Sequence, residues 1–124
     1  GLLAISLADN TALFTAIGND LGYEDVFARQ VEALVQENDM VIGLSTSGNS
    51  PNVVKGVSAA TRLGARTAAL MGRGGALAQI ADIPILVPSD SVPRIQEAHI
   101  TLGHIICELA QRMLTRAYMT RFTS

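Results

Sequence analysis

An α/β fold built on a mostly parallel sheet is what this sequence predicts, and three observations carry the prediction. Short, nearly continuous apolar runs recur along the chain, segments of helical spacing separate them, and no repeat, long linker or low-complexity stretch interrupts the alternation. Parallel strands are covered on both faces, so they read as unbroken apolar runs. The order βαβαβαβα then implies right-handed crossovers and helices on both faces of one sheet, a three-layer α-β-α sandwich. The 124 residues suffice for one such domain with a core of its own.

The elements follow in order. Leu2 to Leu7 reads as a first strand, Met40 to Leu44 as a second rich in Val and Ile, Thr67 to Met71 as a weaker third, and Ile83 to Val87 as a fourth closed by Pro88. Between them, Thr11 to Asn19 makes about two helical turns. Tyr23 to Gln36 places Val26, Phe27, Val31, Leu34 and Val35 near one side of a helix. Pro51 to Leu63 starts with a proline suited to a first turn and stops at Gly64. Ala76 to Ala81 is a short helix after Gly74-Gly75, and Val92 to Arg121 is the longest, with Pro93 leaving its start open.

Composition excludes several classes. Hydrophobic residues make up 48% and charged residues 16%, which argues against disorder. Nine basic residues face eleven acidic ones and Lys55 is the only lysine, so no broad nucleic-acid surface or polybasic membrane anchor is expected. No apolar run approaches a spanning helix, and the start lacks the basic region of a leader, so a cytoplasmic location is expected. Cys107, the single cysteine, excludes an intrachain disulfide and lies in an apolar helical pattern, where a buried structural thiol is expected. A chain with no initiating Met that opens on a buried-strand pattern reads as a cut through a longer protein, so the domain over residues 1–124 is expected to be incomplete at its amino end.

The most informative stretch is Gly43-Leu44-Ser45-Thr46-Ser47-Gly48-Asn49-Ser50-Pro51, where a strand ends and a helix begins. Ligands of open α/β sheets bind at the carboxyl ends of strands, and helix-start amides favour negative charge. Ser45, Thr46, Ser47 and Ser50 add hydroxyl donors, and Gly48 lets the backbone turn closely. Capping by Ser50 and a turn at Ser47-Gly48 explain one or two of the hydroxyls; four at one strand end favour a phosphate or another anion. The stretch is neither a P-loop nor a GxGxxG turn.

Other positions are more ambiguous. Asn19-Asp20 reads, from the residues alone, as a pair that ends a helix, and Asp9-Asn10 as a cap for the helix near Thr11. Gly72-Arg73-Gly74-Gly75 reads equally as a solvent-facing turn or as a close backbone approach with a cation to neutralise an anion. The two histidines, His99 and His104, fall in the final helix near Gln96 and Glu97. Imidazole suits proton transfer or metal ligation, but His104 and Glu108 have the spacing of a plain surface pair. Gln96 and His104 lie about 12 Å apart along a regular helix and about 80° apart around it, too far to meet on one small ion.

The whole pattern resembles the bacterial phosphoheptose isomerases within the sugar isomerase (SIS) domain family. The likeness runs through Ala16-Ile17-Gly18-Asn19-Asp20, Val26-Phe27-Ala28-Arg29-Gln30-Val31-Glu32-Ala33, the Ser45 to Val53 turn, Arg94-Ile95-Gln96-Glu97-Ala98-His99 and His104. It implies substrate contacts from Asn19 and Asp20, a phosphate held by Ser45, Thr46, Ser47 and Ser50, Gln96 on both substrate and zinc, and His104 as zinc ligand and acid–base group. The implied reaction converts sedoheptulose 7-phosphate to D-glycero-D-manno-heptose 7-phosphate for surface-polysaccharide precursors, in a homotetramer with interfacial sites. The family pattern also has an upstream helical region with a substrate loop, a histidine and a glutamate, and these have no counterpart here. Two other readings compete: a non-catalytic relative that binds a replication initiator protein, and a phosphosugar-sensing module.

Overall fold

The computed structural model describes residues 3–122, with side chains described to residue 116. Five α-helices and three strands follow one another: α1 (Thr11–Asp20), α2 (Ala28–Leu34), β1 (Met40–Ser45), α3 (Pro51–Arg62), β2 (Arg66–Met71), α4 (Leu77–Ile80), β3 (Ile83–Leu86) and α5 (Val92–Phe122). A 3₁₀ turn at Tyr23–Asp25 precedes α2. The strands pair in the order β1-β2-β3, all parallel, with Met40 opposite Arg66, Ser45 opposite Met71 and Met71 opposite Leu86. Flanking helices make this the expected three-layer α/β arrangement.

β2 lies between two partners, and from Thr67 to Met71 every residue is buried. β3 carries Pro84, a residue tolerated at a sheet edge because it cannot donate to a ladder. α3 is the central helix. Its Ala59 and Ala60 pack on Ala28 and Val31 of α2, while Val57 joins Ala69, Met71 and Leu77. The small residue at Gly43 lets α3 sit close on β1, since a Cβ there would stand 2.9 Å from Val57 Cγ2 and 3.0 Å from Val53 Cγ1. Burying a valine such as Val57 contributes about 1.5–3 kcal/mol.

Three expectations are corrected. Residues 3–6 form no strand and Leu7 begins a turn, with Leu3 and Ile5 exposed; Leu2 lies outside the described residues. A strand needs a ladder partner, and here the Leu7 carbonyl instead accepts from Gln30 Nε2 at 2.9 Å. The expected helix over Tyr23 to Gln36 is two pieces, the 3₁₀ turn and α2, and Glu24 and Asp25 of the turn meet Lys55 of α3 at 3.0 and 3.1 Å. Cys107 is exposed: α5 meets β2 through its first turns, where Ile95 and His99 are buried, and farther along Ile105, Ile106 and Leu109 are exposed as well. Among the described residues no helix is long and apolar enough to cross a membrane.

Candidate functional site

The hydroxyl-rich turn leaves the carboxyl end of β1 at Ser45 and enters α3 at Pro51. Three of its hydroxyls converge: Ser45 Oγ lies 2.8 Å from Ser50 Oγ and 3.4 Å from Ser47 Oγ. Ser50 makes no side-chain cap on α3, contrary to the capping reading; its hydroxyl faces Ser45 instead. At the first turn of α3, Pro51 has no N–H to satisfy and Asn52 Oδ1 accepts the Val53 N–H at 2.9 Å. The Ser50 hydroxyl is thereby spared for the turn.

A second loop, residues 72–76, braces the first from behind. The Gly72 N–H donates to the Thr46 carbonyl and the Leu77 N–H to the Gly48 carbonyl, both at 3.0 Å. Gly48 has φ +68°, and a Cβ on it would overlap the Gly74 carbonyl oxygen. Asn49 ties the two loops. Its Oδ1 accepts from the Ala76 N–H at 2.8 Å, its Nδ2 donates to the Ser47 carbonyl at 3.2 Å, and its own N–H donates to Ser47 Oγ at 3.1 Å. Sequence reasoning gave Asn49 no role; its position two residues after Ser47, in a turn, was the available signal.

The two loops open on a cleft of about 500 Å³ lined by Thr46, Ser47, Arg73, Gly74, Ser89 and Asp90 among others. Arg73 Nε donates to Asp90 Oδ1 at 2.7 Å. That hydrogen bond, reinforced by the opposite charge, holds the Asp90 carboxyl below its ordinary value and raises the Arg73 guanidinium above its own. The cleft therefore offers hydroxyl donors, a glycine-lined backbone and a cation paired with Asp90. Such a set suits a phosphate monoester.

The other predicted residues lie elsewhere. Asn19 and Asp20 end α1, exposed, with Asn19 Nδ2 donating to Asp20 Oδ1 at 2.8 Å, and neither lines the cleft. Asn10 does cap α1, accepting from the Leu13 N–H at 3.1 Å. Gln96 and His104 are exposed on α5. Glu108, the expected surface partner of His104, instead accepts from Arg112, and Arg94 pairs with Glu97. His99 is buried, and its Nε2 has no hydrogen-bond partner among the described residues.

Gln96 and His104 lie on one uninterrupted helix, so their eight-residue spacing separates them by about 12 Å along its axis. No group of three or more histidine, cysteine, aspartate or glutamate side chains among the described residues could hold a metal. Among the described residues, Gln96 and His104 by themselves do not make up a zinc site.

Comparison with known proteins bears on the same geometry. The SIS domain family model matches residues 1–72, more than half of the chain. A phosphoheptose isomerase of Geotalea daltonii is 53% identical over 115 residues, covering 92% of this chain and 60% of its own length. One from Aquifex aeolicus is 54% identical over 114 residues, covering 91% of this chain and 60% of its own length. The structure of phosphoheptose isomerase from Neisseria gonorrhoeae superposes with a TM-score of 0.85 at 44% identity, over 87% of this chain and 62% of that one. The Francisella tularensis structure gives 0.82 at 40% identity, over 85% and 57%. The chain spans about 60% of the length of the curated relatives it matches. It belongs to the SIS domain family.

Proposed function

We propose that this SIS-domain chain carries the phosphate-holding part of a phosphoheptose isomerase, which converts sedoheptulose 7-phosphate to D-glycero-D-manno-heptose 7-phosphate for surface-polysaccharide precursors. The observation that carries the reading is the braced turn, whose Thr46 and Ser47 line a cleft with Arg73 and whose Ser45 hydroxyl meets those of Ser47 and Ser50. The relatives that share half of its sequence bear that isomerase name. A phosphate anchored there fixes the far end of a seven-carbon sugar, and the reacting carbons then lie at the other end of the molecule.

The isomerisation is a proton shift. A base takes a proton from C1 of the ketose as the C2 carbonyl oxygen gains one, which gives an enediol; carbon C2 then gains a proton as the C1 hydroxyl gives up its own and becomes the aldehyde carbonyl. Imidazole can serve in either role, and we assign His104 to one of them. The second group is the glutamate of the family pattern that has no counterpart in these 124 residues. Asn19, Asp20 and Gln96 are assigned to the sugar hydroxyls. Zinc would require ligands beyond Gln96 and His104. The exposed apolar side chains of α5, Ile105, Ile106, Leu109 and Met113 among them, support burial in a larger assembly, which we read as a cytoplasmic homotetramer of the complete protein.

The test is conversion of sedoheptulose 7-phosphate by this chain and by its complete natural chain, with and without added zinc. Turnover by the complete chain is expected. A folded complete chain that binds the sugar phosphate without converting it would make the protein a sensing module, and one that does not bind it would remove the reading altogether.

A further inference from the structure

Among the described residues, Arg73 is the one basic residue lining the cleft. The only lysine, Lys55, is held by Glu24 and Asp25, and Arg29 and Arg62 meet Glu32. Arg66 faces Asp82 at the amino end of β2, whereas the cleft lies at the carboxyl ends of the strands. A hydroxyl-lined turn supplies donors but no full charge. A phosphate monoester is close to dianionic at neutral pH, and a cation within the same cleft supplies what hydroxyls do not.

The backbone beside Arg73 is fixed to the turn on both sides. On one side the Gly72 N–H bonds the Thr46 carbonyl, and a Cβ at Gly72 would stand 2.6 Å from that oxygen. On the other, a Cβ at Gly75 would stand 2.7 Å from the Gly48 carbonyl oxygen. The backbone that carries Arg73 is thus held against the turn that bears the hydroxyls. Asp90 then takes Nε at 2.7 Å, which leaves the two Nη groups as the donating edge. An exposed ion pair of this kind adds little to stability, so a requirement of the fold does not explain the arrangement.

Resting on the phosphosugar reading above, we propose that Arg73 is a specificity-determining residue of this cleft, donating through its Nη edge to the phosphate of the bound sugar phosphate, and that Asp90 is its positioning residue. The Arg73–Asp90 pair is a recognition device rather than a surface staple. Lysine at position 73 would keep the charge but lose the fork that Asp90 orients.

Calorimetric titration of the complete natural protein with sedoheptulose 7-phosphate tests this, at about 0.05 M and about 0.3 M salt. Arg73→Gln is expected to weaken binding about tenfold, from the loss of a charge-assisted hydrogen bond. It should also flatten the salt dependence that the wild type shows, while the melting temperature stays unchanged. Arg73→Lys should recover the salt dependence but only part of the affinity, and Asp90→Asn should weaken binding about threefold. Ser47→Ala is the control for the underlying reading. Affinity within a factor of about two of wild type for Arg73→Gln, alongside clear weakening by Ser47→Ala, overturns the role of Arg73 and leaves the turn intact. Absence of binding by the wild type overturns both.

Discussion

The turn between β1 and α3 and the long helix α5 carry the two halves of the proposed chemistry, and they differ in how far the described residues bring the groups together. In the turn, hydroxyls meet at 2.8 Å and 3.4 Å, Asn49 bonds three ways, and a second loop closes behind it. Along α5, Gln96 and His104 stand exposed on a helix that docks by its first turns, and His99 Nε2 is buried without a partner among the described residues. The proposed anchor and the proposed chemistry therefore draw on different parts of the structure. Local backbone geometry builds the anchor, whereas groups for the reaction must converge from elements that these residues alone do not bring together.

The largest effect expected from that separation is on His104. In the complete protein, His104→Ala should lower kcat by a factor of about 10² to 10⁴, the usual range for removing a general acid–base group. The dissociation constant for sedoheptulose 7-phosphate should stay within a factor of about three, because the phosphate anchor is untouched. Steady-state kinetics with parallel calorimetry reads both quantities. Unchanged kcat would remove His104 from the proton shift, and equal loss of binding would show that anchor and chemistry are not separable.

Next in size is the interlock behind the turn. Gly48→Ala places a Cβ on the Gly74 carbonyl oxygen at a residue with φ +68°, so the loop over residues 72–76 must move away. The cost expected is about 2–4 kcal/mol, combining backbone strain with an overpacked contact, a large share of the stability of a small domain. Urea unfolding of the chain measures it. A midpoint equal to wild type would mean the two loops yield freely, and the anchor would then owe its shape to something other than their contact.

Much of this was legible in advance, for reasons that differ by region. The runs at 40–44, 67–71 and 83–87 mark strands within a residue or two because a parallel sheet demands unbroken apolar stretches, and Pro51 and Gly64 bracket α3 as helix chemistry requires. The hydroxyls of the turn announce themselves because they are contiguous. Asn49 as a brace and Arg73 with Asp90 as the wall of a cleft do not, since each depends on the meeting of segments far apart in the chain: Asn49 reaches Ala76 across 27 positions and Arg73 reaches Asp90 across 17. Of the strand expected over Leu2 to Leu7, the described residues 3–7 form none, because apolar composition supplies no ladder partner. Cys107 is exposed despite its apolar helical pattern because α5 meets β2 through its first turns, around Ile95 and His99.

The smallest effect expected lies at the opposite end of the sheet from the cleft, and it tests whether that end stands apart from the anchor. Asp82 Oδ2 accepts from the Thr67 N–H at 2.7 Å and from Thr67 Oγ1 at 3.0 Å, and the Asp82 N–H returns a bond to Thr67 Oγ1 at 3.0 Å. The backbone N–H of Thr67 first, then its hydroxyl, hold the Asp82 carboxyl below its ordinary value; partial desolvation opposes this and Arg66 adds a smaller favourable share. A carboxyl depressed in the folded state contributes stability that is complete above its unfolded pKa, about 3.9, and is lost as pH falls through the folded value. Stability from this group should therefore be level between about pH 7 and pH 5 and decline only below about pH 4. Asp82→Asn keeps an oxygen acceptor for Thr67 but removes the charge, so it should flatten the acid limb of the urea midpoint against pH while leaving phosphosugar affinity at neutral pH unchanged. An acid limb identical to wild type would show that the Thr67–Asp82 contact does not couple to folding, and a fall in affinity would show that the two ends of β2 do not act independently.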